Sequence, residues 1–232
     1  LYIEAGDWDG LARMALREAQ GLVGQGRSRV LEAWLSKMPE QMLGDNPWLL
    51  YWKGVCRIPF DPAEARNIFS EAFELFKGGG EKTGMFLSWS GAVDTALIAL
   101  EFLPLDRLIT VLDDLLAKGE TPPPEIKDRI FISMFCAASY RQPYRPDMAL
   151  WEEKALIILR REGDFALRFQ AGAYLALYYV WMGRFVDSRA TLDLLRRLLD
   201  SDGGTDLMRI IVHNVEGVYG FFTGDYDGTL KT

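Results

Sequence analysis

Eight residues, Gly21-Leu22-Val23-Gly24-Gln25-Gly26-Arg27-Ser28, have the spacing of a phosphate-binding loop, with Arg27 where the pattern has Lys. Such a loop works when a strand leads in and a helix N-terminus leads out, so that backbone amides converge on the phosphate oxygens. Residues 12–19 read as helix, not strand, so the stretch is expected to be an inter-helix loop. Gly78-Gly79-Gly80-Glu81-Lys82-Thr83 is a second echo of the motif, but Glu81 puts a carboxylate where phosphate would have to lie. Asp200-Ser201-Asp202-Gly203-Gly204 starts like a calcium loop, lacks the third acidic ligand and has Ile211 where the loop needs Glu.

His213 is the only histidine and the chain has no Cys-x-x-Cys, so a His- or Cys-based metal cluster is not expected. His213 reads as a polar residue on a helix face. Cys56 and Cys136 fall inside apolar helical patterns and read as small buried hydrophobes in a reducing compartment. No nucleophile with a base and an orienting group can be assembled from these residues. The expectation is a non-catalytic chain without a cofactor.

The elements that would position any site are helices. Apolar residues make up 49% of the chain, enough for a continuous core. Leu and Ala are abundant and β-branched residues sparse, and the 22 glycines and 10 prolines stand mostly singly between periodic segments. The class is all-α. The organising stretch is 163–200, two helical halves hinged at Gly183-Arg184-Phe185. The first half is apolar almost all round and should be sandwiched between neighbours. In the second, Val186, Ala190, Leu194 and Leu198 recur every four residues between charges. Together they make an αα-hairpin.

Turns inside successive hairpins are expected near 59, 103, 143, 183 and 224, at steps of 44, 40, 40 and 41. A fixed period of that size is the mark of a helical-hairpin solenoid. The chain therefore reads as one α-solenoid over 1–232. An atypical first unit at 1–45 is followed by repeats at 46–80, 81–120, 121–162, 163–204 and 205–232. The first unit carries an extra helix at 28–38, and 39–44 reads as a short turn. Helices are expected over 46–57, 62–77, 82–102, 105–118, 125–140, 147–162 and 206–222. The long apolar segment at 85–103 holds Asp94 and Glu101 and reads as a buried solenoid helix, not a membrane span. A net charge of −7 argues against direct nucleic-acid binding, which needs a basic face. With no signal peptide, the location expected is cytoplasmic. The chain begins without Met and stops in a fresh helix after Tyr226, so it reads as a segment of a longer protein.

Residues nine or ten before each turn should line up on the concave face of such a stack: Leu50, Asp94, Ser133, Tyr174 and Asn214. Four of these five can hydrogen-bond, although their helices are otherwise apolar. Asp94, Ser133, Tyr174 and Asn214 are thus the candidate contacts for a small ligand or peptide, against the alternative of hydrogen bonding between helices. A bare carboxylate such as Asp94 has to be exposed in the groove or paired. Of the seven tryptophans, Trp48 and Trp52 share one helix face, and one of them could line the groove.

Leu175-Ala176-x-x-Tyr179-x-x-x-Gly183-Arg184-Phe185, and Gly217 followed by Gly224-Asp225-Tyr226, resemble the core of tetratricopeptide (TPR) repeats. Small residues at Ala176 and Gly217 would let paired helices touch, and Phe185 and Tyr226 would wedge the turns. Ser188 and Thr229 stand where the repeat has a small residue, the period of about 41 exceeds the usual 34, and the earlier units lack the turn Gly. The run from Arg29 through Trp34 to Pro39, then Asn46-Pro47-Trp48-Leu49-Leu50-Tyr51-Trp52, then Pro59-Phe60-Asp61-Pro62, resembles the start of the superhelical region of MalT-like regulators. These are STAND-class, ATP-dependent bacterial transcription regulators. The resemblance implies a right-handed superhelix that binds an effector or a partner protein. It also implies NTPase and DNA-binding modules in the same polypeptide, with a LuxR-type helix-turn-helix or another activator domain as output. A general TPR-type interaction scaffold without a small-molecule site is the alternative.

Overall fold

The computed structural model describes residues 2–201 and 204–225. Thirteen helices and no strand occur among them: α1 Tyr2–Ala5, α2 Trp8–Gly24, α3 Ser28–Leu35, α4 Glu40–Asp45, α5 Pro47–Arg57, α6 Pro62–Gly78, α7 Lys82–Ile98, α8 Leu103–Ala117, α9 Lys127–Arg141, α10 Met148–Arg160, α11 Phe165–Trp181, α12 Phe185–Ser201 and α13 Asp206–Thr223. No helix is long and apolar enough to cross a membrane. The protein is all-α, and its helices pack in sequence-adjacent pairs within two compact units, 1–130 and 131–232, that divide inside α9.

Local signals set the starts. Asn46 Oδ1 accepts from the amides of Trp48 and Leu49 (3.1 and 3.3 Å), with Pro47 opening α5. Asp61 Oδ1 accepts from Glu64 N at 2.9 Å ahead of Pro62, and Asp164 Oδ1 from Leu167 N at 2.9 Å. Each acceptor satisfies an amide that has no partner within its helix.

The ends of three first helices share one closure. The backbone turns left-handed at Leu100 (φ 56°), Gly183 (φ 70°) and Gly224 (φ 77°). The next amide then bonds back five residues: Glu101 N to Ala96 O (2.9 Å), Arg184 N to Tyr179 O (2.7 Å) and Asp225 N to Gly220 O (3.0 Å). This is the Schellman closure, in which glycine is the residue without a steric penalty. Leu100, 72% exposed, performs it without that advantage. The helix expected over 82–102 accordingly stops at Ile98, and Pro104 sits in the first turn of α8. The segment expected as a turn at 39–44 forms α4, opened by Pro39 and held by buried Leu43.

In the first unit the middle layer is α7, buried nearly all round, with α6 packed along it and α5 and α8 against it. Phe69 of α6 is fully buried between two glycines. A Cβ on Gly54 of α5 would lie 2.9 Å from its ring, and one on Gly91 of α7 would lie 2.7 Å away. In the second unit α11 is the middle layer, between α10, α12 and α13. Ala176 is fully buried, and Ser188 Oγ of α12 donates to its carbonyl at 3.0 Å, so the two helices approach closely there. A staple joins α10 to α11 and to the turn after it. Tyr179 Oη donates to Glu152 Oε1 (3.0 Å), Arg184 Nη1 to Glu152 Oε2 (2.9 Å) and Arg184 Nε to Asp187 Oδ2 (2.8 Å), with the Arg184 guanidinium over the Tyr179 ring at 4.4 Å. Phe185 meets Tyr219 edge to face. Tyr226 and Thr229 of the expected last turn lie outside the described residues.

Candidate functional site

The phosphate-loop echoes resolve as helix junctions. The stretch from Gly21 to Ser28 runs from the end of α2 through a left-handed Gly26 into α3. Glu81 caps α7 with both oxygens, Oε1 to Thr83 N (3.0 Å) and Oε2 to Gly84 N (2.7 Å). The amides that would hold a phosphate are thus taken by the chain's own carboxylate. His213 is exposed on α13, its Nδ1 3.2 Å from Glu216 Oε2. The calcium-like stretch lies partly outside the described residues. Cys56 and Cys136 are both buried, and Cys56 Sγ donates to Ser28 O at 3.5 Å.

The five expected column positions differ in environment. Leu50 is buried in the first unit. Asp94, on α7, is half-buried and paired: Arg129 Nη2 donates to Asp94 Oδ2 at 3.0 Å, and Arg129 Nε to Ser90 Oγ at 3.0 Å. Beside the pair, burial raises the Tyr51 phenol pKa, with Arg129 opposing and Asp94 reinforcing the shift. The Tyr51 ring stands edge-on to Trp52 (5.1 Å) and Trp48 (5.6 Å), both half-buried. Asp94 therefore belongs to a polar pair at the edge of an aromatic group carried by α5.

In the second unit Ser133 is 2% exposed and packed inside. Tyr174 is half-buried and meets Tyr140 edge-on at 6.2 Å, and Tyr140 in turn meets the exposed Trp181 at 4.8 Å. Burial raises the Tyr140 pKa, with Cys136 adding to it. Asn214 is exposed on α13, in line with Leu207, Ile210 and Phe221, which are 65%, 57% and 67% exposed. Exposure thus separates the four candidates: Asn214 is open, Asp94 and Tyr174 are half-open with aromatic neighbours, and Ser133 is interior.

Sequence spacing did not point to a cleft in the first unit, between α6 and α8 and floored by α7. It has two lobes of about 280 and 270 Å³ that share Phe73, Glu74 and Val111. The larger lobe carries Arg66, Arg107 and Ser88 over Phe69 and Trp89. Trp89 Nε1 donates to Leu108 O at 2.8 Å, which ties the floor to α8. The smaller lobe is rimmed by Lys77, Lys118 and the Lys82–Glu120 pair (2.7 Å). No periodic signal marks this cleft, because it forms where the second helices of two hairpins stand apart. Comparison with family models, with curated proteins and with solved structures found no match to the chain.

Proposed function

We propose that this chain is the signalling segment of a MalT-like, STAND-class ATP-dependent regulator. In this reading it is a non-catalytic, cytoplasmic α-solenoid of TPR-like hairpins. The faces of the first helices bind an effector or a partner protein and report to NTPase and DNA-binding modules of the same polypeptide. The observation that carries the reading is the packing of the helices in sequence-adjacent pairs, with α7 and α11 each a largely buried helix between its neighbours. The buried Ser188 to Ala176 contact supports the TPR-like design, since the repeat needs small residues where paired helices touch. Asp94 with Tyr51 and Trp52, and Tyr174 with Tyr140 and Trp181, supply polar and aromatic groups of the kind that orient a small ligand. A ligand that binds one packing of the hairpins better than another shifts the balance by its difference in affinity.

The interaction-scaffold alternative is favoured by one observation, the exposed apolar stripe of α13 around Asn214, since large exposed apolar patches mark protein contacts. A thermal-shift screen of the chain against sugars, nucleotides, amino acids and short peptides tests both. A ligand at one hundred times its Kd stabilises by about 2.7 kcal/mol. A saturable hit lost in Asp94→Ala or Tyr174→Ala supports the effector reading. Hits from peptides alone, weakened by Asn214→Arg, favour the scaffold, and a silent library sinks the small-molecule reading.

A further inference from the structure

The larger lobe of the cleft between α6 and α8 contains two unmet hydrogen-bonding groups. Ser88 is fully buried on α7 and its Oγ has no hydrogen-bond partner; Nη1 of Arg66, on α6, is likewise buried and unpartnered. The rest of Arg66 is well placed, with Nη2 donating to Glu101 Oε2 at 2.6 Å. Native proteins satisfy nearly all such groups, so two orphans lining one cleft call for a common acceptor. A guanidinium nitrogen only donates and a hydroxyl can donate, so the missing group is an acceptor. The surrounding wall carries the apolar groups Phe69, Trp89, Pro104 and Leu108, with Asn67 and Ser70 on the α6 side. Arg107 stands exposed at the rim and forms no ion pair with any described residue. Glu74 is the one carboxylate on the lobe, and Lys77 Nζ lies 3.8 Å from it.

We infer that this lobe is a binding site for a small apolar monocarboxylate, separate from the first-helix faces of the reading above. One carboxylate oxygen accepts from Arg66 Nη1 and the other from Ser88 Oγ. The apolar body of the ligand lies against Phe69 and Trp89, and Arg107 draws the anion in. A planar group with two acceptor oxygens matches two donors, and a charged partner strengthens both bonds. A dianionic phosphate fits less well, because the Arg66 charge is already shared with Glu101 and Glu74 faces the same space. The volume, about 280 Å³, lies at the lower edge of small-molecule sites, which restricts the ligand to a compact acid.

The test uses the 232-residue chain with phenylacetate, indole-3-acetate and hexanoate, each beside its neutral amide, followed by calorimetry and by tryptophan emission. The carboxylates are expected to bind saturably and to change the emission, and the amides to bind at least about tenfold more weakly, since a charged acceptor is replaced by a neutral one. Ser88→Ala should fold at least as well as the parent, because it removes an unsatisfied hydroxyl, and should weaken carboxylate binding about tenfold. Arg107→Ala should weaken it less and reduce its salt dependence. Asp94→Ala should leave it unchanged. Three outcomes overturn the proposal: no carboxylate binds at millimolar concentration, so that water alone meets the orphans; acids and amides bind alike; or binding survives Ser88→Ala and is lost in Asp94→Ala.

Discussion

Replacing Gly91 by Ala tests the packing of the first unit through a change of sign. In the middle of an ordinary helix Gly→Ala is stabilising by about 1 kcal/mol. Gly21, near the end of α2, has nothing within 4 Å of a built Cβ, so Gly21→Ala should raise stability by about 0.5 to 1 kcal/mol. At Gly91 the new methyl would stand 2.7 Å from two ring carbons of Phe69, about 1 Å inside an ordinary carbon contact. The ring is fully buried and Gly54 of α5 crowds the same ring atoms, so it has little room to swing. Overpacking of this kind costs about 1 to 3 kcal/mol, which outweighs the helix gain. The two variants should therefore differ by about 2 kcal/mol, or roughly 4 to 8 °C in melting temperature for a chain of this size. Thermal melts followed by circular dichroism read the difference. Phe69→Leu removes the ring atoms that the methyl meets, so Gly91→Ala in that background should lose most of its cost, with a coupling of about 1 kcal/mol. If Gly91→Ala stabilises as Gly21→Ala does, or costs the same with Leu at 69, the picture of Phe69 clamped between α5 and α7 is wrong.

Three further outcomes are expected. Leu100 holds a left-handed conformation that disfavours side chains by about 1 to 2 kcal/mol, so Leu100→Gly should stabilise by about 0.5 to 1 kcal/mol in urea unfolding, while Gly183→Ala should destabilise by about 1 kcal/mol. Burial opposes the charge of Asp147, but hydrogen bonds from Arg145 and Trp151 Nε1 outweigh it and hold the carboxyl below its usual range. A depressed carboxylate stabilises above its unfolded pKa and loses that contribution as pH falls through the folded value, so stability should drop below about pH 4, and less so in Asp147→Asn. Burial, with Glu32 nearby, pushes the Cys56 thiol up to about 12, so it should resist a thiol reagent at pH 8 in the folded chain and react once urea unfolds it; rapid native labelling of Cys56 would contradict its placement.

Helix positions were legible because their signals are local. Asn46-Pro47 and Asp61-Pro62 place side-chain caps within three residues of the amides they satisfy, and the structure uses both. The end of α7 was not legible, because nothing in the type of Leu100 announces a left-handed turn; the tertiary fold imposes it. The short helix α4 was missed because six residues carry too little periodicity to separate helix from turn. For the site, spacing along the first helices led to Asp94 and Tyr174, which do stand half-open beside aromatic groups. It could not tell them from Ser133, which has the same register and lies inside. The Asp94–Arg129 pair joins residues 35 positions apart, and the orphan donors Arg66 and Ser88 line one cleft from two different helices. Neither the pair nor the cleft leaves a mark in a one-dimensional pattern, because both depend on the spacing between helices.

The central claim is that the first helices read an effector. It is tested most directly by amide hydrogen exchange of the whole chain with and without a saturating hit from the thermal screen. Exchange should slow most on a first helix, in α7 around Asp94 or in α11 around Tyr174, with the effect abolished by alanine at that residue. Slowing confined to α6 and α8, or spread evenly without a maximum on the first helices, would contradict it.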